Sequence, residues 1–354
     1  MPDAKSLEHL PPECLFLIAD YFCHPRDLNA TAQTCHPLYS VYIPLLYSRA
    51  SKVKSQNQLF RWAIEHGCPT TVRLCIAAGA DPNRELTPGQ GDSPLFHTVA
   101  FRDAMRTFHG TDVQILKRNL QWNEQVAQAF IDGGARIDAR SRGTWYMRDM
   151  SALHQATWDG DADITHLLLD NGADISVVDG RGRTPLHTAV NAGNPDVVAL
   201  LLAKGAKADD RHRTNGQTPL HELAARGKID AMKILLDSGA DVNACDDLQQ
   251  TPLHHAAKSR YDSASADDAA RLLISKGADI EARDKKGRTP LLLSISWHWS
   301  MPVIKTLVTN RADVDARDSN GKSPMDLAEL CHNTVTARYL ASQWGSLAGR
   351  KCET

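Results

Sequence analysis

The sequence has little excess charge, few aromatic residues and no long apolar run. Its 354 residues contain 40 Lys and Arg against 42 Asp and Glu, which gives a formal net charge of -2. A general nucleic-acid binder carries a strongly basic surface, so nucleic acid is not an expected partner. No apolar stretch approaches the ~18 residues of a membrane-spanning helix, and the start MPDAKSLEHLPPE lacks the pattern of a secretory leader. We therefore expect a soluble protein of the cytoplasm or nucleus, with no membrane partner.

What the sequence does contain is a repeat. The stretch TPLHTAVNAGNPDVVALLLAKGAKADD is followed by TPLHELAARGKIDAMKILLDSGADVNACD. Thr184, Thr218 and Thr251 open successive copies that are 34 and 33 residues apart, a period typical of helical solenoids. Thr is a favourable N-cap and Pro a favourable first helical residue, so each copy is predicted to open a helix. A second amphipathic helix follows and is predicted to end at a glycine such as Gly239, before an Asp-rich turn.

The copies resemble ankyrin repeats, because TPLHELAA and GADVNA match the two most characteristic ankyrin segments. The resemblance implies an all-α ankyrin-repeat solenoid over residues 57–343, in which each repeat has two antiparallel helices and a hairpin loop. We predict eight repeats, with bounds at 57–92, 93–150, 151–183, 184–217, 218–250, 251–288, 289–322 and 323–343. Residues 1–9 are predicted to be a disordered leader, and residues 344–354 a frayed tail.

Two repeats are longer than the others. The distance from the first helix start to the closing glycine is 21 residues from Thr218 to Gly239, but 41 from Ser93 to Gly134 and 26 from Thr251 to Gly277. We predict a helical excursion near residues 102–121 and a mobile loop near residues 258–266.

Residues 10–48 differ in character from the repeats. The segment LPPECLFLIADYFCHPRDLNATAQTCHPLYSVYIPLLY predicts three short helices interrupted at His-Pro pairs. It resembles an F-box of the fungal type, whose pattern is met by Leu10, Pro11, Glu13, Leu15, Ile18, Pro25, Asp27, Leu28 and Cys35. Many F-boxes have a Trp after the Cys, whereas this chain has Leu38 and Tyr39. The alternative is that these helices only cap the exposed end of the solenoid.

The F-box resemblance implies a Skp-type adaptor and a cullin scaffold as partners. The residues that would dock on the adaptor are Leu10, Pro11, Leu15, Ile18 and Leu28. The ankyrin resemblance implies that an unknown protein substrate contacts first-helix ends and hairpin tips. Those positions are Phe101, Trp158, Asp159, Asn191, Arg226, Lys258 and Trp297 on helices, and Tyr146, Met147, Arg181, Arg183, Asn215, Lys285, Lys286 and Arg288 on hairpins.

From these positions we select nine residues, mainly aromatic and basic, because Trp, Tyr and Arg most often anchor protein interfaces. They are Phe101, Tyr146, Trp158, Arg181, Arg183, Arg226, Lys286, Arg288 and Trp297. The basic members favour an acidic partner segment. Packing between repeats is the alternative role for Trp158 and Trp297.

No catalytic residue, cofactor or metal is expected. The sequence has no H-E-x-x-H motif, no phosphate-binding glycine loop, no nucleophile elbow and no C-x-x-C pair among its eight cysteines. Histidines recur once per repeat, but side chains one repeat apart are about 10 Å apart and cannot share a zinc ion. The ankyrin resemblance implies that each hydrogen-bonds neighbouring backbone; the positions are His154, His187, His221 and His254.

The hypothesis is therefore a non-catalytic substrate-recognition subunit of an SCF-type cullin-RING E3 ubiquitin ligase. The alternative is an ankyrin scaffold or transcriptional coregulator without a role in ubiquitin transfer.

Overall fold

A computed structural model describes residues 55–65, 67–86, 92–100, 113–142, 149–260, 262–296 and 301–348. All regular secondary structure in these ranges is helical. The helices are α1 (Ser55–Glu65), α2 (Pro69–Ala77), α3 (94–100), α4 (Val113–Asp132), α5 (Ala152–Trp158), α6 (Ala162–Asp170), α7 (Pro185–Ala192), α8 (Pro195–Ala203), α9 (Pro219–Arg226), α10 (Ile229–Asp237), α11 (Pro252–Ala257), α12 (Ser263–Ser275), α13 (Pro290–Ser296), α14 (Met301–Thr309), α15 (Pro324–Leu330) and α16 (Thr334–Ala348).

The predicted helix starts are confirmed. Thr184, Thr218 and Thr251 are N-caps with extended backbone, each followed by Pro at the first helical position and completed by a capping box. In α9 the Thr218 N–H donates to Nδ1 of His221 at 3.1 Å. Since Nδ1 accepts, the proton is on Nε2, which lies 2.9 Å from the Gln250 carbonyl oxygen in the next loop. The histidine thus joins its own helix start to the following loop, as the resemblance implied.

Helix ends follow the predicted glycine rule. At Gly239 φ is 88° and no atom lies within 4 Å of where a Cβ would stand, so the left-handed backbone, not lack of space, favours glycine. Arg311 occupies the corresponding position after α14 and has φ 71°. A non-glycine residue in this region costs roughly 1 kcal/mol or more, which makes Arg311 a strained exception.

The chain divides into two compact units, residues 1–180 and 181–354. In the described part of the N-terminal unit, α2 packs against α1 and α4, and α4 also contacts α6. Phe60 and Phe130 are fully buried there and meet edge to face with ring centroids 5.0 Å apart. Each such buried side chain contributes roughly 1.5–3 kcal/mol of transfer free energy, so α1 and α4 are held together mainly by this core.

In the C-terminal unit the helices form two rows. The first helices of successive repeats pack in the order α7, α9, α11, α13, α15, and the second helices pack in the order α8, α10, α12, α14. Leu201, Leu220, Leu223 and Leu235 are buried between the rows. This arrangement leaves the first-helix ends and the loops preceding them at the surface.

Three sequence predictions are corrected in detail. Residues 113–121 of the longer second repeat are not a separate excursion but the first part of the 20-residue helix α4. The loop predicted near 258–266 is shorter than expected, because Asp262 caps α12, its Oδ2 accepts from the Ser265 N–H at 3.0 Å, and residues 263–266 belong to that helix. Helix α16 continues to Ala348, into the range predicted to be a frayed tail.

The predicted all-α fold of repeated helix pairs is confirmed in the described ranges. Within the described ranges, none of the helices combines the length and the apolar character that crossing a bilayer requires.

Candidate protein-recognition surface

Several residues selected from the sequence lie outside the described ranges, so their roles stay predictions. They are the five adaptor residues Leu10, Pro11, Leu15, Ile18 and Leu28, and three of the partner residues, Phe101, Tyr146 and Trp297.

Trp158 lies at the end of α5, at the surface of the N-terminal unit. Its side chain is 44% exposed, whereas the preceding six residues of α5 are buried. The next residue, Asp159, accepts from the side-chain amide of Gln155 at 2.8 Å and 3.0 Å. Packing between repeats therefore does not cover the whole Trp158 residue, and part of it is exposed to solvent.

The arginines selected from the sequence differ in exposure. Arg183 is only 6% exposed, so little of this selected residue lies at the surface. Arg226 is half-buried, donating to the Asn191 carbonyl and to Glu222 Oε1, each at 3.0 Å. Arg288 donates from two guanidinium nitrogens to Asp284 at 2.9 Å and 2.7 Å. Arg226 thus connects two repeats, whereas Arg288 is held within its own loop, and of the four selected arginines only Arg181 is exposed.

Loop tips of the C-terminal unit are joined by backbone hydrogen bonds. The Asp247 N–H donates to the Asn215 carbonyl at 3.0 Å, and the Lys285 N–H donates to the Leu248 carbonyl at 2.9 Å. The Ser319 N–H continues the row by donating to the carbonyl of Lys286, an exposed residue selected from the sequence. The tips thus form a fixed row, which we call the loop row: residues 212–217, 246–250, 284–288 and 318–322.

Loop 246–250 is unlike the others in the loop row. Its residue Leu248 is 56% exposed. Gln249 has φ 56°, whereas glycines occupy the same position in the other three loops of the row, with φ near 70° at Gly216, Gly287 and Gly321. An exposed leucine and a glutamine with left-handed backbone therefore lie side by side, and non-glycine residues in that conformation cluster at binding and catalytic sites.

A buried polar cluster lies under this loop. His255 Nε2 is 2.9 Å from Asp246 Oδ2, and the Asp246 Oδ1 accepts from the backbone N–H groups of Leu248 and Gln250, each at 2.8 Å. The ring of His221 meets that of His255 edge to face at 4.9 Å. The cluster thus fixes the backbone of the loop from below.

Burial and hydrogen bonding set the charges of this cluster. Burial lowers the pKa of His221 to about 4 and also lowers the pKa of His255. Burial alone would raise the pKa of Asp246, but hydrogen bonds from His255 and from the backbone of Gln250 and Leu248 lower that pKa to about 2. At neutral pH the cluster therefore holds one carboxylate between neutral imidazoles.

His221, Asp246 and His255 place their nearest donor atoms within 4.8 Å of one another. The hydrogen bonds do not favour a metal there. His221 Nδ1 already accepts from Thr218, so its Nε2 carries a proton and faces a carbonyl oxygen rather than an open position. The Lys258 ammonium, 3.4 Å from His255 Nε2, would repel a cation. A bound metal would have to break the cap of α9.

Sequence reasoning missed Leu248, Gln249 and the His255–Asp246 pair. The sequence contained one signal for the unusual loop and one for the second histidine. The loop DLQQ lacks the glycine found in TNG, KKG and SNG, and TPLHHAA doubles the repeat histidine. The proximity of His255 to Asp246 could not be read from spacing, because it depends on how the loop folds back onto α11.

Comparison with known proteins agrees with this architecture. Residues 119–212, 207–284 and 263–350 match the family described as ankyrin repeats (3 copies). The chain belongs to the ankyrin-repeat family. Ankyrin repeats are protein-interaction modules, so this architecture implies protein–protein interaction.

The relatives share only part of their length with this chain. Neurogenic locus notch homolog protein 1 of Xenopus tropicalis is 34% identical over 214 residues, which cover 58% of this chain and 8% of that protein. E3 ubiquitin-protein ligase KEG of Arabidopsis thaliana is 35% identical over 113 residues, 31% of this chain and 7% of that protein. Neurogenic locus notch homolog protein 2 of Homo sapiens is 36% identical over 124 residues, 35% of this chain and 5% of that protein.

Proposed function

We propose that the chain is the non-catalytic substrate-recognition subunit of an SCF-type cullin-RING E3 ubiquitin ligase, acting in the cytoplasm or the nucleus. The repeats hold a protein substrate, and residues 10–48 dock on the Skp-type adaptor that connects the chain to the cullin scaffold. The chain contributes proximity, because it brings the substrate close to a catalytic subunit.

The observation that carries the recognition part is the exposure of interface-type side chains on rigid repeats. Trp158 is partly exposed at a helix end, and Leu248 is exposed on a loop that hydrogen bonds to its backbone and to Asp246 hold in place. A preorganised surface binds without a further ordering cost. The adaptor part is supported by the sequence pattern from Leu10 to Cys35.

The second candidate is an ankyrin scaffold or transcriptional coregulator. It is favoured by the family match, which begins at residue 119 and does not include residues 10–48. The relative named as an E3 ubiquitin-protein ligase matches over 113 residues, 7% of its length, so its likeness supports recognition rather than ubiquitin transfer.

Binding of a purified Skp-type adaptor separates the two candidates. We expect the full chain to bind the adaptor and Ile18→Asp to abolish binding, because a buried charge at an apolar contact is strongly unfavourable. Val335→Asp is the matched control, since Val335 is 62% exposed on α16, far along the chain, and should leave adaptor binding unchanged.

The thermal midpoint should change little in the Ile18→Asp protein, because repeats couple mainly to their neighbours. If the wild-type chain fails to bind the adaptor, the ligase-subunit role is excluded and the scaffold or coregulator role remains. A large fall in the midpoint of Ile18→Asp would indicate that residues 10–48 only cap the repeats.

A further inference from the structure

We propose that loop 246–250 is the centre of a docking site for an acidic protein segment that carries an apolar side chain. The inference rests on the proposed function, because it names the chemistry of the segment that the repeats would recognise. Three observations lead to it: the exposure of Leu248, the strained backbone beside it, and the cations on the neighbouring loops.

Leu248 is exposed at a place where the fold holds it out. Its backbone N–H is tied to Asp246 at 2.8 Å, and its carbonyl accepts from Lys285 at 2.9 Å, so the residue cannot fold inward without breaking both bonds. Gln249, at φ 56°, completes the turn in a conformation that costs stability. A leucine presented in this way offers apolar area to a partner at no cost of loop ordering.

Cations lie on both sides of this leucine in the loop row. Lys285 is exposed and is joined to Leu248 through the backbone, and Lys286 follows it. On the other side, Arg213 is exposed in the loop that is joined to Asp247. Asp247 directly precedes Leu248 and is exposed. Its carboxylate is paired with Arg211 at 3.3 Å. The leucine is therefore bordered by positive charge.

An acidic, extended segment fits this surface best. One apolar side chain of the segment would pack on Leu248, while flanking carboxylates would lie near Lys285 and Arg213. The lysine and arginine charges should act mainly on the rate of encounter, and the leucine contact on the lifetime of the complex. Replacing the lysine should therefore slow association, and replacing the leucine should speed dissociation.

The test uses random linear peptides displayed on phage and selected against the full chain. We expect enriched peptides to combine Asp or Glu with an apolar residue. Synthetic peptides from the selection should lose about tenfold in affinity for Leu248→Ser, mostly through faster dissociation. For Lys285→Glu they should associate more slowly and with a weaker dependence on salt. Leu330→Ser, which removes a leucine that is 60% exposed on α15, is the control and should bind as wild type does.

Leu248→Ser should keep the wild-type thermal midpoint, because the side chain is largely in solvent, so lost affinity cannot be attributed to unfolding. Enrichment of basic or uncharged peptides would overturn the inference. The same holds if no peptide is enriched, or if the peptides bind Leu248→Ser and Lys285→Glu as tightly as wild type. None of these outcomes alters adaptor binding, so the proposed function is judged separately.

Discussion

His255 and Asp246 form a buried pair in which the imidazole Nε2 lies 2.9 Å from the carboxylate Oδ2, directly beneath an exposed loop. The same carboxylate accepts from two backbone N–H groups of that loop. One aspartate thus connects the interior of α11 to the position of Leu248. The stability of this cluster and the shape of the candidate docking site are consequently linked.

The buried histidines should make the protein less stable in mild acid. Burial lowers the pKa values of His221, His254 and His255 below the ordinary 6.5. The unfolded chain therefore takes up more protons than the folded chain as the pH falls below about 6.5, so unfolding becomes easier. For His221 alone, whose folded pKa is about 4, the loss by pH 4 is on the order of 2–3 kcal/mol.

Urea unfolding measured from pH 7.5 down to pH 4.5 checks this expectation. The matched variant is His255→Leu, which removes one of the buried titrating groups and should show a shallower fall over the same pH range, whatever its stability at neutral pH. An equal slope in both proteins would mean that His255 does not contribute to the acid sensitivity.

Two neighbouring aspartates should respond very differently to loss of charge. Asp246→Asn weakens charge-assisted bonds to His255, Leu248 and Gln250, and should cost about 2 kcal/mol. Asp247→Asn only weakens an exposed pair with Arg211 and should change stability by less than about 0.5 kcal/mol. Urea unfolding at pH 7 compares them, and similar losses in the two variants would rule out a stabilising role for the buried cluster.

The left-handed backbone of Arg311, just after α14, predicts that a glycine there would stabilise the protein. Arg311 has φ 71° at the position where Gly239 has φ 88°. Arg311→Gly should therefore raise the free energy of unfolding by about 1 kcal/mol, and Gly239→Ala should lower it by a similar amount, since no atom lies near the added Cβ. Thermal melting of both variants gives the comparison. A destabilised Arg311→Gly would show that the arginine side chain, not its backbone, determines this helix end.

The features that recur in successive repeats could be predicted from the sequence, whereas those that occur in a single repeat could not. Helix starts at Thr184 and Thr218 follow from caps and proline, and left-handed ends such as Gly239 follow from glycine, because both are local backbone preferences. The exposure of a side chain, in contrast, is not determined by its neighbours in sequence. Arg183 and Leu248 both belong to loop segments, yet one is buried and the other exposed, and only the packing of neighbouring repeats separates them.

A side-chain amide joins the turn after α10 to the turn after α12. Asn243 Oδ1 accepts from the Asp279 N–H at 2.8 Å, and its Nδ2 donates to the Gly277 carbonyl at 3.2 Å. Asp209 has the corresponding place one repeat earlier. Its carboxylate accepts from the Asp241 N–H at 3.1 Å but has no N–H to donate to Gly239.

Asp209→Asn should therefore stabilise the protein by roughly 0.5–1 kcal/mol, because an amide restores the missing donor. The gain should also depend on pH. Burial and the nearby Asp241 carboxylate raise the pKa of Asp209, so ionised Asp209 is less favourable in the folded state and the advantage of Asn grows as the pH rises through that pKa.

Urea unfolding at pH 3.5 and pH 7 measures both effects, and the reverse substitution Asn243→Asp provides the control at an equivalent bridge. It should destabilise the protein at pH 7 by a similar amount, since it removes the donation to Gly277. If Asn243→Asp is destabilising but Asp209→Asn has no effect, the turn at Asp209 does not bring the amide within reach of Gly239, and the two bridges are not equivalent.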